Sequence, residues 1–599
     1  MKRILFKLFL STLIVLSFSS CEDYLEQTPD GELTLDEVFA DREYTRNFLY
    51  NVYSFCPDEL MMAWHSWMPL EFNITPFIGA ADEMDYSWTE SYSNLMNNGS
   101  WSPNDRGTWS SVSNIWYWYY QGIRRANQFI ENVDRSPASV PEKETWKAEA
   151  YFLRAFYHFM LFRVYGPIPI VNHTVAVDAE FQAFTRSSID DIIQFIVEDC
   201  DRATVALEPT LDANQLGRAT RLSALALKSR VLLYAASDFY NGNTDYADFK
   251  DKNGNLFFTQ TRDHSKWAVA AQAAQKCINE ALSAGKKLYT KNNDPVQSYQ
   301  YLFLDAENQE SLFQKMIGYN DRFEELVTPR GYGGWSGLGP TQNIIDDYEM
   351  QATGKPITDN TSGYIETGYA TAAHPQGWYP NGTRNMYVGR DPRFYASILF
   401  NGQNWRGRRV ELFRTGKDGY ANARDYSTTG YNLKKYAGPD VNITQGIWAQ
   451  KFCMYFRLGE IYLNYAEAIN EAEGPDKAYW YINEIRHRVG MPDLPTGLNQ
   501  EQMREKIRHE RRIELAFEDG HRYFDTHRWK IAEQSEGIKI YGMNISRGSS
   551  FTDNQFYVRT LVEKRVFENK HYLFPIPQHE INKNENLKQA PGWITETNE

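Results

Sequence analysis

Apolar residues recur at helical spacing along most of the chain, and two long stretches break the rhythm. The pattern predicts a helix from Leu35 to about Tyr53, then others over Thr108–Val133, Glu142–Tyr165, Ser188–Leu207, Arg221–Phe239 and Lys266–Ala284. The helix over Glu142–Tyr165 carries Ala150, Leu153, Phe156, Tyr157 and Met160 at helical spacing, and Gly166-Pro167 stops it. The rhythm returns over Arg457–Ala472, Asp476–Val489, Gln500–Phe517 and His521–Gln534. Residues 56–108 have little period and hold Pro, Gly, Asn, Ser and aromatics. Residues 286–455 are rich in Gly, Tyr, Asn and Trp, with short strand-like pieces such as Arg393–Phe400.

Consecutive amphipathic helices joined by short turns predict a mainly α fold of stacked helix pairs, since no pair can bury its apolar face alone. Ala224, Ala226, Ala235 and Ala236 in one helix, and Ala466 and Ala468 in another, are small residues where helices must approach closely. The expected architecture is a tetratricopeptide-like solenoid of irregular period with a large loop-rich insertion. Rigid helices supply the frame and loops carry function.

The N-terminus divides the chain further. Lys2, Arg3 and Lys7 precede an apolar run, Leu8 to Phe18, too short to span a membrane, and then Ser19, Ser20 and Cys21. This order describes a lipoprotein signal peptide over residues 1–20, with Cys21 as the lipidated residue, although Phe18 departs from the usual Leu or Val. The expected divisions are a tether over 21–33, an N-terminal helical region with ligand loops over 34–285, the insertion over 286–455 and a C-terminal helical region over 456–599. The whole chain has 63 Lys+Arg against 77 Asp+Glu, and the leader takes away three basic residues and no acid. The remaining negative balance argues against binding nucleic acid by bulk charge. A few local arginines such as Arg384, Arg390 or Arg406 could still make a basic pocket. Cys56, Cys200, Cys277 and Cys453 form no CxxC and read as buried free thiols.

Several groups invite a catalytic reading. Glu510, Glu514 and Glu518 lie one helical turn apart with Arg511 and Arg512 between them, which favours structural ion pairing. His521 and His527 are six residues apart, a poor spacing for two metal ligands on one face. Asp82, Glu83 and Asp85, or Asp346 and Asp347, could supply the carboxyl pair of a glycoside hydrolase. No Ser–His–Asp pattern, HExxH or phosphate-cradling GxxxxGK[ST] accompanies them, so the chain is expected not to be an enzyme. No cofactor is expected; a structural calcium on a loop carboxylate cluster is left open.

Sugar binding asks for less: an aromatic ring for the face of a pyranose and polar groups for its hydroxyl edge. The loop aromatics are therefore the candidates. In the first loop region these are Trp88 and Trp101, with Asp82 and Asn98 as polar neighbours. In the Gly-rich stretch Gly331–Gly339 they are Tyr332 and Trp335. Trp64, Trp67 and Trp378 are reserves. Trp109, Trp116 and Trp118 read as helix-packing residues.

Seven stretches carry a resemblance. They are Cys21–Pro29 after the leader, WYWYYQGIRRAN at Trp116–Asn127, AFYHFMLFRVYGPIP at Ala155–Pro169, and Pro340-Thr341 with Asp346-Asp347-Tyr348. RLGEIYLNYAEA at Arg457–Ala468, RHERRIELAFEDGHRYFDTHRW at Arg508–Trp529 and YLFPIPQHEINKNENLKQAPGW at Tyr572–Trp593 complete the set. In this order, over nearly the whole chain, they resemble the SusD/RagB family of Bacteroidota outer-membrane lipoproteins. The resemblance implies a helical solenoid with a ligand site on the inserted loops, glycan cargo in most members and peptide cargo in some. It also implies a SusC-type TonB-dependent β-barrel partner, over whose mouth the lipoprotein sits at the cell surface. The resemblance carries the site over by region, not residue by residue.

Overall fold

The computed structural model describes residues 33–58, 60, 75–89, 91–105, 112–176, 179–319, 321–421 and 425–593. The expected signal peptide, Cys21, Trp64, Trp67 and Trp109 lie outside the described residues.

Ten described helices of eight or more residues make the frame. In chain order they are α1 (Arg42–Tyr53), α2 (Val112–Asn132), α3 (Val140–Tyr165), α4 (Ile189–Ala206), α5 (Arg221–Ala236) and α6 (Ser265–Ser283). After the insertion come α7 (Leu458–Glu473), α8 (Tyr479–Arg488), α9 (Gln500–Glu514) and α10 (His521–Arg528). From α2 to α7 each helix packs on the next, so α6 meets α7 across the whole insertion, and α7 then packs on α9. The alanines at 224, 226, 235, 236, 466 and 468 are all buried, as close helix contact requires. The four described cysteines are buried and free.

Local chemistry explains the helix ends. Ser139 and Glu142 form a capping box at the start of α3, and Gly166 ends it at φ +65° with its N–H on the Phe162 carbonyl. The helix expected over Leu35–Tyr53 is two, because Asp41 leaves helical geometry and caps α1 through the Tyr44 N–H at 2.9 Å. The strand expected at Arg393–Phe400 is a helical turn, Pro392–Ser397, followed by a two-residue strand. Asp391 caps that turn and Pro392 fixes its first φ, which overrides the β-like composition.

Strands are few and serve to tie distant segments. We label β1 (Met84–Tyr86), β2 (Ser311–Tyr319), β3 (Leu338–Pro340) and β4 (Gln450–Arg457). β2 pairs with β4, closing the insertion near its two ends, and β1 pairs antiparallel with β3.

A buried ionic network locks insertion to frame. Glu510 takes Arg393 and Arg486; Glu514 takes Arg393, Arg457 and Arg488; Glu518 takes Arg457 and Lys435. Structural ion pairing is thus what the acids of α9 and the turn after it do, but with partners from β4, α8 and the insertion. Arg511 reaches Asp525 on α10, and Arg512 reaches Asp82 and Asp347. Such pairs gain little over apolar packing, yet removing one partner strands a buried charge.

Candidate functional site

The ligand loops are held from below. Asp82 and Glu83 sit just before β1. The Asp82 carboxylate accepts from Arg512 and, at 2.9 and 3.0 Å, from Arg522. Its backbone carbonyl takes the Thr341 hydroxyl at 2.6 Å, and the Glu83 carbonyl takes the Thr341 N–H at 3.0 Å. α9 and α10 therefore fix both strands of the β1–β3 pair.

Beyond that pair the chain turns outward. The Ser87 N–H donates to the Gly337 carbonyl at 2.9 Å and its hydroxyl to the Ser336 carbonyl at 2.8 Å. This lock sets Trp88 against Trp335, with ring centroids 6.1 Å apart at 53°. Tyr86 backs Trp88 edge-on at 5.6 Å, and the Arg322 guanidinium lies 5.6 Å from the Trp335 ring. The loop carrying Trp335 folds back on Asp321–Val327, with N–H groups of Trp335, Ser336 and Gly337 on the carbonyls of Glu325, Thr328 and Leu326. A Cβ on Gly334 would stand 2.1 Å from the Thr328 carbonyl oxygen, so only glycine permits this fold.

Tyr332 lies three residues earlier. Its hydroxyl donates to the Trp405 carbonyl at 2.9 Å, and Arg408 covers its ring at 3.6 Å. Burial pushes the Tyr332 phenol above its ordinary range, so it stays a neutral donor. Asp418 organises this corner by binding Arg408 and accepting the Gly331 N–H at 3.0 Å. Arg330 reaches Asp425 at 3.9 Å, which puts the Tyr420–Tyr426 pair, 4.6 Å apart and edge to face, beside it. Trp88, Tyr332 and Trp335 are half-buried against the core and Tyr420 is exposed. Trp88 and Trp335 thus form one contact, and Tyr332 anchors a neighbouring corner of the same loop.

The structure brings two of the six candidate residues, Trp88 and Trp335, into contact, keeps Tyr332 on the same loop as Trp335, and separates the others. Trp101 is 3% exposed and packs on Phe574, Trp593 and His571. Asn98 is exposed at the end of the helical turn Tyr92–Asn97, where its side-chain Oδ1 accepts the Ser100 N–H at 2.9 Å. Asp82 is buried in its arginine pairs and is not open to a ligand. Of the reserves, Trp378 is buried, stacked on His374 at 4.0 Å. Trp116 is buried and Trp118 donates to the Phe55 carbonyl, both as helix packing.

The arginines at 384, 390 and 406 do not make a basic pocket. Arg390 is fully buried and spent on the carbonyls of Ile345, Tyr348 and Met386. Arg384 is buried on Asn554, and Arg406 on Glu324 and the Gly438 carbonyl. Arg408, Asp418, Tyr420 and Tyr426 were missed by sequence reasoning. The two tyrosines in a Gly-, Asn- and Ser-containing stretch were the available signal.

Asp82 and Glu83 carry the electrostatic mark of an acid–base pair. Burial would raise both, but Arg512 and Arg522 hold Asp82 well below the usual carboxylate range. Burial lifts Glu83 to about 8, with one oxygen on the Phe517 N–H at 3.1 Å and the other without a partner among the described residues. Both side chains are buried, so the split follows from packing and does not form a cleft. His521 and His527 are likewise held neutral: burial lowers His521 strongly and His527 to about 4.

Two family models match. One, described as "SusD family", covers residues 287–593, and one described as "Starch-binding associating with outer membrane" covers residues 23–233. SusD-like protein P2 of Formosa agariphila is 25% identical, over 80% of this chain and 81% of that protein. A SusD-like protein of Bacteroides ovatus is 21% identical over 98% of this chain and 97% of its own length. Among solved structures, a SusD-like protein from Bacteroides fragilis superposes at TM-score 0.74 with 26% identity, covering 94% of this chain and all of that one. A surface glycan-binding protein A from Bacteroides fluxus shares the fold at TM-score 0.58 and 20% identity, over 92% of this chain and all of its own. The chain belongs to the SusD family.

Proposed function

We propose that this chain is a non-catalytic, surface-exposed lipoprotein of the outer membrane that captures polysaccharide or oligosaccharide and delivers it to a SusC-like TonB-dependent transporter. The observation that carries the reading is the Trp88–Trp335 pair, held by the β1–β3 lock beside Tyr332 and the Tyr420–Tyr426 loop. Aromatic faces cover the apolar side of a pyranose, and in this reading the exposed Arg322 and Arg330 meet hydroxyl groups at the rim. Ligand-contact roles fall to Trp88, Tyr332 and Trp335.

The leader and Cys21 support lipid anchoring, and the outer-membrane description of the family model over residues 23–233 supports the location. Residues 34–285 and 456–599 act as frame with ligand loops, and 286–455 as the insertion that completes the site. Burial of Asp82 and Glu83 removes the best placed hydrolytic pair from solvent, which favours binding over cleavage.

The test is affinity purification of the tagged, full-length chain from detergent-solubilised outer membranes, together with protease treatment of intact cells. Copurification of a TonB-dependent barrel and digestion on intact cells are expected. A chain protected in intact cells and recovered without a barrel would overturn the reading. Peptides recovered on the chain in place of glycan would change the cargo and keep the rest.

A further inference from the structure

A trough with its own polar lining runs along α1, built from none of the loop aromatics. Positions 42, 46, 50 and 53 recur at helical spacing, so Arg42, Arg46, Tyr50 and Tyr53 line one face. The start of α3, the turn at 213–218 and residues 313–316 of β2 form the opposite wall. Two cavities of about 460 and 410 Å³ share Tyr50, Asn214, Gln215 and Arg218 and so make one run. Each is of the size that holds a small ligand, roughly 300–1,000 Å³. The run follows about 17 Å of helix at 1.5 Å per residue.

Its lining has unspent hydrogen-bonding capacity. Gln314 is 3% exposed; its amide nitrogen donates to the Ala306 carbonyl at 3.0 Å, while its carbonyl oxygen has no partner among the described residues. Arg46 gives one nitrogen to Glu43, and its buried Nε has no partner. Arg42 is shared between Glu43 and Glu142, and Arg218 is bound to Glu149. Tyr50 is 44% exposed and offers a ring. Four cations, Arg42, Arg46, Arg218 and Lys315, line the trough; Glu43, Glu142 and Glu149 pair with the three arginines and Lys315 donates to the Cys56 carbonyl, which leaves cations in excess by one in a chain of net charge −14. A guanidinium has five donors, so those held by one acid can still take a second anion.

We propose that this trough is a second carbohydrate site that takes a short oligosaccharide bearing carboxylate or sulfate groups. The proposal rests on the glycan-binding reading above but on none of its residues. Tyr50 covers a sugar face, Asn214 and Gln215 meet hydroxyl groups, and Arg46 and Arg218 meet the anion.

The test is titration calorimetry of the soluble chain from Glu22 with three probes: a galacturonic acid trimer, a sulfated carrageenan oligomer and neutral maltotriose. At least one anionic probe is expected to bind, and less tightly as salt is raised. Which of the two binds tells carboxylate from sulfate. Affinity should fall about tenfold in Arg46→Gln and in the double variant Asn214→Ala with Gln215→Ala, and stay unchanged in Trp335→Ala. All of these trough side chains are at least partly exposed, so the fold should hold. The proposal is overturned if neither anionic probe binds, if maltotriose binds as tightly, or if Trp335→Ala abolishes binding that the trough variants keep. Failure here leaves Trp335-dependent glycan capture standing, so the two readings fail separately.

Discussion

Replacing Asp82 with Asn tests whether this acid is structural or functional. The carboxylate is the shared partner of Arg512 and Arg522, whose side chains are 7% and 15% exposed. Asparagine keeps the shape and removes the charge. Arg512 retains Asp347, but Arg522 loses the pair that holds it. Breaking one partner of a buried pair costs about 3–5 kcal/mol, and the surviving Asp347 contact puts this site near 3. That is roughly two orders of magnitude in the folding equilibrium. Urea denaturation at pH 7, followed by tryptophan fluorescence, measures it. The pH dependence has a fixed sign. A carboxyl held below its ordinary value stabilises the fold above the unfolded value, near 4, and this contribution fades as pH falls through the folded one. The gap between wild type and variant should therefore start to narrow only below about pH 4 and close as pH nears the folded value. An unchanged urea midpoint at pH 7 together with lost glycan binding would refute the structural assignment.

Further predictions use neighbouring features. Glu83 has a folded value raised to about 8, so its contribution is full below the unfolded value and is lost as pH rises toward 8. Wild-type stability should decline from about pH 5 to 8 more steeply than that of Glu83→Gln, as read by thermal melts across that range. Equal slopes would show that Glu83 is ionised in the fold. Trp101→Ala should destabilise by about 3–5 kcal/mol, as for a large aromatic removed from a core; a shift below 1 kcal/mol would return Trp101 to the ligand candidates. Gly334→Ala should abolish glycan retention while moving the melting temperature little, since the clash falls on the ligand loop alone. Full retention would mean that the loop's backfold does not set the Trp335 platform.

Helix order and most helix limits were legible because period and capping are local. α3, α4, α5 and α6 lie within a few residues of the expected spans. Asp41 and Asp391 were the local exceptions, each a helix cap within or next to a span expected to be one continuous element. The candidate site was legible as two aromatic regions, but not as a contact. Trp88 and Trp335 meet through a three-residue strand pairing between segments some 250 positions apart, and no local signal encodes it. Burial was equally hidden. Trp88 and Trp101 look alike in sequence, yet one sits half-buried on a loop and the other is enclosed by the C-terminal segment at Phe574 and Trp593. The partners of Arg384, Arg390 and Arg406 are a side-chain amide, backbone carbonyls and an acid that the fold brings to them, so charge alone misassigned them.

The most direct measurement is native affinity electrophoresis of the soluble chain through gels cast with separate polysaccharides, wild type beside the double variant Trp88→Ala with Trp335→Ala. The account predicts that one polysaccharide retards the wild type, and that the double variant, melting close to wild type, runs as it does in an empty gel. Retardation that the double variant keeps in full would contradict it and place glycan capture elsewhere on the chain.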